Sequence, residues 1–139
     1  MSNQERKQPF IWRVRVYYED TDAGGVVYHA SYLRFMERAR TELLRVHGFE
    51  QTDLVRDHGV IFVVRDVHIS YLRPAVFNDL LNVTVSVHAA GRSWIEFSQT
   101  VMRDEVLARA QVKIVCVNHL SFKPVEIPEI IRKKMEISL

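Results

Sequence analysis

The sequence predicts an α+β fold in which a five-stranded antiparallel sheet wraps around one long helix. Three observations carry that reading. Five segments alternate apolar and polar residues, as strands with one buried face do. A single segment, from Tyr32 onward, repeats its apolar residues at helical steps. The breaks between the later strands are short, which favours sequential antiparallel hairpins.

Residues 1–9, polar and charged up to Pro9, read as a loose, flexible terminus, and residues 10–139 as a single domain. The first strand is FIWRVRVYY, with Trp12, Val14, Val16 and Tyr18 on one side and Arg13, Arg15 and Tyr17 on the other. The helix follows. Tyr32, Met36, Ala39, Leu43 and Val46 fall at steps of four, three, four and three, and Leu33, Phe35 and Leu44 widen the stripe. Arg34, Arg38, Glu42 and Arg45 take the opposite face, Ser31 reads as the N-cap and Gly48 as the stop.

Four more strands are centred on Val67–Tyr71, Leu81–Val87, Ile95–Val101 and Ala108–Cys116, with breaks at Phe77-Asn78-Asp79, Ala90-Gly91-Arg92 and Arg103-Asp104-Glu105. After Pro128, EIIRKKMEI reads as a short terminal helix. One subunit leaves part of a sheet face and its edge strands uncovered, so self-association, at least to a dimer, is expected.

Composition removes several classes. Cys116 stands alone, so an internally disulfide-stapled fold is out. The longest apolar run, Val60–Val64, is far short of a membrane span, and the first residues carry no apolar signal core; a soluble cytoplasmic chain is expected. Lys and Arg number 19 against 17 Asp and Glu, a net charge of +2. The excess sits in a basic N-terminal arm, and no basic cluster with interleaved aromatics marks a nucleic-acid surface. Arginines dominate the basic residues, which suits bidentate phosphate or carboxylate partners as well as ordinary ion pairs.

The densest chemistry lies in YEDTDAGGVVYHASYLRFMERAR, from Tyr18 to Arg40. It puts Glu19, Asp20 and Asp22 on a turn just before a helix, with Gly24 and Gly25 allowing close backbone approach by a ligand. The unpaired N–H groups of a helix's first turn can receive developing negative charge. A carboxylate beside such a group of donors is an acyl-transfer arrangement. The same residues also make an ordinary loop, with Asp22 forming an Asx-turn.

Other chemistries fit less well. A calcium loop starting at Asp20 needs an acid at its twelfth position, where Ser31 stands. Asp20, Asp22 and His29 lack metal-ligand spacing. No second acid is placed for a glycosidase pair, and neither a GxSxG elbow nor an activated cysteine is present.

The stretch VRVYYEDTDAGGVVYHASYLRFMERARTELL closely resembles the hotdog-fold acyl-CoA thioesterases of the 4-hydroxybenzoyl-CoA thioesterase class, within them most nearly the Tol–Pal-associated YbgC type. The resemblance continues through FVVRDVHISYLRPAVFNDLL, GRSWIEF and VCVNHLSFKPVEIP. It implies a hotdog fold and hydrolysis of an acyl-CoA, short-chain aliphatic or aromatic, to free acid and CoA, with no metal or redox cofactor. The implied partners are acyl-CoA and further copies of the chain, as a dimer or a tetramer of dimers. Acyl carrier protein or phospholipid-synthesis proteins are additional partners to consider, without nucleic acid and without an integral membrane segment. The alternative is an adaptor of the cell-envelope and lipid-synthesis machinery that holds acyl groups or acyl carrier protein.

Residue roles follow from the same resemblance. Asp22 matches the catalytic aspartate, nucleophile or general base. Gly25 matches the glycine beside the thioester, and the N–H near His29 the group that polarises its carbonyl. The His29 side chain either assists Asp22 or satisfies the helix end. Tyr28 and Tyr32 line the substrate channel or fill the core. Arg92 and Ser93 match the position of basic residues against the nucleotide, or mark a solvated hairpin tip; Arg73 is a second basic candidate. Glu37 reads mainly as a partner for Arg38 or Arg40.

Overall fold

The computed structural model describes residues 8–137. The expected loose terminus therefore lies, over residues 1–7, outside the described residues. In chain order the elements are β1 (Phe10–Arg15), a single 3-10 turn (Tyr18–Asp20), α1 (His29–Val46), α2 (Gln51–His58), β2 (Val60–Tyr71), β3 (Leu80–Ala90), β4 (Trp94–Arg103), β5 (Glu105–Asn118) and α3 (Glu129–Lys134). The strands form one five-stranded sheet in the order β1-β3-β4-β5-β2, with every neighbouring pair antiparallel.

Alternation builds the sheet's core face. Leu81, Val83 and Val85 on β3, and Ile95, Phe97, Gln99 and Val101 on β4, are buried, while the residues that alternate with them are less so. The 18-residue helix α1 packs on β1, β3 and β4 through Tyr32, Phe35, Met36, Ala39, Leu43 and Leu44. Gln99 is the polar member of that face: its Nε2 donates to the Met36 carbonyl at 3.1 Å, and its Oε1 accepts from Arg40 at 2.9 Å. No helix of the described residues is long and apolar enough to cross a membrane.

Several local expectations are corrected. The helix begins at His29, and Tyr28, with extended backbone, is its N-cap; Ser31 lies inside the first turn, its N–H donating to the Tyr28 carbonyl at 2.8 Å. Leu33 and Val46 face outward, because a stripe wide enough to include them exceeds what the sheet covers. Gly48 does follow the helix, with φ +93°. A second helix, α2, buries only Leu54, so it leaves little apolar periodicity to read.

Strand β2 is 12 residues long and pairs with β5, with a register shift between Val64 and Asp66 that breaks the alternation in this stretch. Hairpins join β3 to β4 and β4 to β5 as expected, but β2 does not pair with β3; β1 occupies that edge. The connection from β2 to β3 is instead tied to the end of β1. The Val16 N–H donates to the Asp79 carbonyl, and the Asn78 N–H to the Val16 carbonyl, both at 2.9 Å. β1 itself stops at Arg15, and Tyr18 is exposed and stacked on Phe77 at 3.9 Å between ring centroids.

Candidate active site

The segment between β1 and α1 folds on itself in a small loop. Thr21 bridges Val27, the Asp22 N–H donates to the Val26 carbonyl at 2.9 Å, and the Gly25 N–H to the Asp22 carbonyl at 3.0 Å. Gly25 has φ +82° and nothing within 4 Å of where a Cβ would stand, so conformation, not space, calls for glycine. The Asp22 Oδ1 accepts the Gly24 N–H at 2.8 Å, the Asx-turn geometry. Its Oδ2 has no protein donor among the described residues, and the side chain is exposed. The turn and a reactive carboxylate are thus compatible: one oxygen is used for structure and one is open.

Asp20, two residues earlier, is the structural acid. It is 4% exposed; its Oδ2 accepts the Tyr17 N–H at 2.9 Å, its main-chain carbonyl accepts the Tyr28 N–H at 2.8 Å, and Arg34 lies 3.7 Å from Oδ1. Arg34 also donates to Ser31 Oγ at 2.7 Å, joining this loop to the first turn of α1. The loop then leans on residues 75–79. The Val27 N–H donates to the Ala75 carbonyl at 2.9 Å, Val26 bridges Val76, and the Asp79 carboxylate accepts from the Val76 N–H at 2.9 Å and from Arg103 at 2.5 Å.

At the start of α1 no side chain caps the helix, and no acidic residue stands in its first turn. The His29 and Ala30 N–H groups have no acceptor among the described residues. They are two of the orphan donors every helix start presents, with the helix dipole behind them. The His29 ring is exposed and lies 4.4 Å from the Tyr28 ring and 6.2 Å from Tyr71, with no hydrogen bond to Asp22. Tyr28 is half-exposed.

Tyr32 is 3% exposed, and its hydroxyl accepts the Ala75 N–H at 3.0 Å; burial raises its pKa above the ordinary phenol value. It sits in the core, supporting the loop that supports Asp22. Tyr71, which nothing in the sequence singles out, donates its hydroxyl to the His29 carbonyl at 3.1 Å and stands 5.3 Å from the Tyr32 ring. Partial burial, then the neighbouring Tyr32, push its pKa up, so it remains a neutral donor at physiological pH.

The other candidates lie elsewhere. Arg92 and Ser93 occupy the β3–β4 turn, with Arg92 exposed and 3.3 Å from Glu126. Strand β3 separates that turn from the loop around Asp22, a span of about 30 Å at the usual rise per residue. Arg73 pairs with Glu105. Glu37 lies outside direct ion-pair distance of Arg38 and Arg40, but its charge still favours the protonated Arg40; it accepts from the Thr41 hydroxyl at 3.0 Å, while Arg40 turns inward to Gln99.

A carboxylate with one open oxygen, a positive-φ glycine and an uncapped helix start lie together in one short segment, an arrangement whose free N–H donors can receive a developing oxyanion. The chain belongs to the thioesterase-like superfamily, whose family model matches residues 16–135. It is 47% identical over 122 residues to the acyl-CoA thioester hydrolase YbgC of Escherichia coli, covering 86% of this chain and 90% of that one. To the acyl-CoA thioesterase YbgC of Haemophilus influenzae it is 48% identical over 121 residues, covering 86% and 89%. Among solved structures, a probable thioesterase from Bartonella henselae superposes with a TM-score of 0.82 at 35% identity, over 87% of this chain and all of that one.

Proposed function

We propose that this protein is an acyl-CoA thioesterase that hydrolyses a short-chain aliphatic or aromatic acyl-CoA to free acid and CoA. The observation that carries the mechanism is the Asp22 carboxylate, exposed with Oδ2 open, on the loop that leads into the uncapped start of α1. The thioester carbonyl oxygen accepts from the His29 and Ala30 N–H groups. These bind the oxyanion better than the ground-state carbonyl, which is what lowers a barrier.

Asp22 Oδ2 then acts in one of two balanced ways. As nucleophile it bonds to the carbonyl carbon, the C–S pair leaves with CoA as thiolate, and water cleaves the resulting anhydride. As base it takes a proton from water, whose oxygen bonds to the same carbon; the C–S bond then breaks with its electron pair on sulfur, and the proton held by Asp22 passes to the departing CoA thiolate. Both routes end in acid and CoA and call for no metal or redox cofactor. Gly25 lets the thioester approach the backbone, while Tyr28, His29 and Tyr71 form the aromatic wall at the helix start.

We take α1 as the central helix of a hotdog fold, with the sheet wrapped around it, and the active form as a homo-oligomer. The span of β3 supports the latter. At the usual rise per residue β3 puts Arg92 and Ser93 about 30 Å along the strand from the end of the sheet that carries Asp22. On our reading it is a second copy's turn that meets the nucleotide of the substrate held at Asp22. The outer strand β2, with Val64, Val67 and Tyr71 exposed, offers a long unpaired edge for such a copy. We assign the reaction to the cytoplasm, the compartment that holds acyl-CoA.

The test is a thioesterase assay over acyl-CoA and acyl-carrier-protein substrates of graded acyl length. Turnover of acyl-CoA supports the reading, and turnover of acyl carrier protein alone reassigns the carrier. Saturable acyl-group binding with no hydrolysis of either contradicts it in favour of an adaptor.

A further inference from the structure

Behind the β3–β4 turn lies a buried charge with no part in the chemistry at Asp22. Arg132, on α3, is 9% exposed. Its Nη2 donates to two successive main-chain carbonyls of the turn, Gly91 at 2.8 Å and Arg92 at 2.7 Å. Its Nε and Nη1 are shielded from solvent and have no acceptor among the described residues. A guanidinium held out of water with donors unpaired is destabilising, and an apolar side chain of similar volume fills such a place at lower free energy. The charge therefore calls for a reason in what it does to the turn.

A trans peptide is planar, so its N–H points opposite to its C=O. With the Gly91 and Arg92 carbonyls drawn inward to Arg132, the N–H groups of Arg92 and Ser93 point outward. Neither donates to any acceptor among the described residues. Successive outward N–H groups on a turn form an anion-binding concavity. Here it is flanked by the Ser93 hydroxyl and the Arg92 guanidinium, whose pairing with Glu126 is an exposed surface contact that an anion displaces at small cost.

We propose that Arg132 is a positioning residue for the nucleotide end of the substrate. It fixes the turn so that the Arg92 and Ser93 N–H groups face a phosphate of CoA, and it sets a positive charge behind them. This rests on the reading of Arg92 and Ser93 as the CoA phosphate contact.

The experiment compares an acyl-CoA with the acyl-N-acetylcysteamine thioester of the same acid, which keeps the reacting bond and lacks the nucleotide. In Arg132→Met the ratio of the KM for acyl-CoA to the KM for the truncated thioester rises about tenfold, the loss of one charge-assisted contact. A structural defect instead changes both substrates alike and leaves the ratio where it was, which overturns the proposal. Should Arg132→Met fail to fold, Arg132→Gln, neutral but still able to donate to one carbonyl, is held to the same ratio. Arg92→Ala separates the two layers. A raised ratio in Arg92→Ala with an unchanged one in the Arg132 variants rejects the role of Arg132 alone. An unchanged ratio in Arg92→Ala rejects a part for the Arg92 guanidinium, and an unchanged ratio in Arg92→Ala and in the Arg132 variants alike rejects the phosphate site itself.

Discussion

Replacing Tyr32 by Phe removes one oxygen and decides what that residue is for. The ring stays buried and its packing on Phe35 and Tyr71 is kept, but the Ala75 N–H loses its acceptor. Ala75 is 0% exposed, so water does not replace the lost bond without a rearrangement. Leaving a buried donor unsatisfied costs about 1–3 kcal/mol. Taking about 2 kcal/mol and an unfolding entropy of roughly 0.3 kcal/mol/K for a chain of this length, Tm falls by about 7 °C. Because the Val27 N–H rests on the Ala75 carbonyl, the loop carrying Asp22 loosens, and kcat falls by a similar factor for every acyl length. Scanning calorimetry and an acyl-CoA panel measure the two effects. An unchanged Tm together with a shifted acyl-length preference refutes the reasoning, since it places the hydroxyl in the substrate channel.

Other consequences are open to direct measurement. Burial pushes the Cys116 thiol from its ordinary 9.0 up to about 11, so the unfolded chain gives up that proton first. Its contribution to stability is full below pH 9 and is lost as pH rises toward 11; denaturant unfolding across that range shows a fall that Cys116→Ala reduces. The same residue in the native protein resists iodoacetamide at pH 8 and reacts once urea unfolds the chain. Gly25→Ala meets no atom, so its cost is conformational, about 1 kcal/mol at a positive φ. It lowers kcat more than Tm suggests, because the displaced residue is three positions from Asp22; an unchanged kcat counts against a tightly held loop.

The legible parts of the fold were those governed by one face meeting one surface. β3 and β4 alternate because one face lies on α1, and the α1 stripe is the complement of that contact. What stayed hidden depended on chain segments distant in sequence. The pairing of β2 with β5 is decided by β1 taking the edge of β3, and no residue of β2 encodes that choice locally. The helix start moved to His29 because Asp20, through its carbonyl, holds the Tyr28 N–H, a contact across the loop.

At the site, the acidic turn with its glycines pointed to Asp22 and Gly25. Asp22 reads in the sequence as an Asx-turn or as a reactive carboxylate; the geometry shows the Asx-turn at Oδ1 and leaves Oδ2 open, which is compatible with both. Tyr71 could not be found, since only folding carries the far end of β2 to the start of α1. Tyr32 reads the same in the sequence whether it lines a channel or a core, and only its bond to Ala75 places it in the core.

The central claim, that the Asp22 carboxylate drives thioester hydrolysis, is tested most directly by acyl-CoA turnover in Asp22→Asn. Asparagine retains the oxygen that accepts the Gly24 N–H, so the loop and Tm are kept. It supplies neither base nor nucleophile, and kcat falls at least about 100-fold, the scale set by losing one oxyanion donor. Near-wild-type kcat in a folded Asp22→Asn protein contradicts the account.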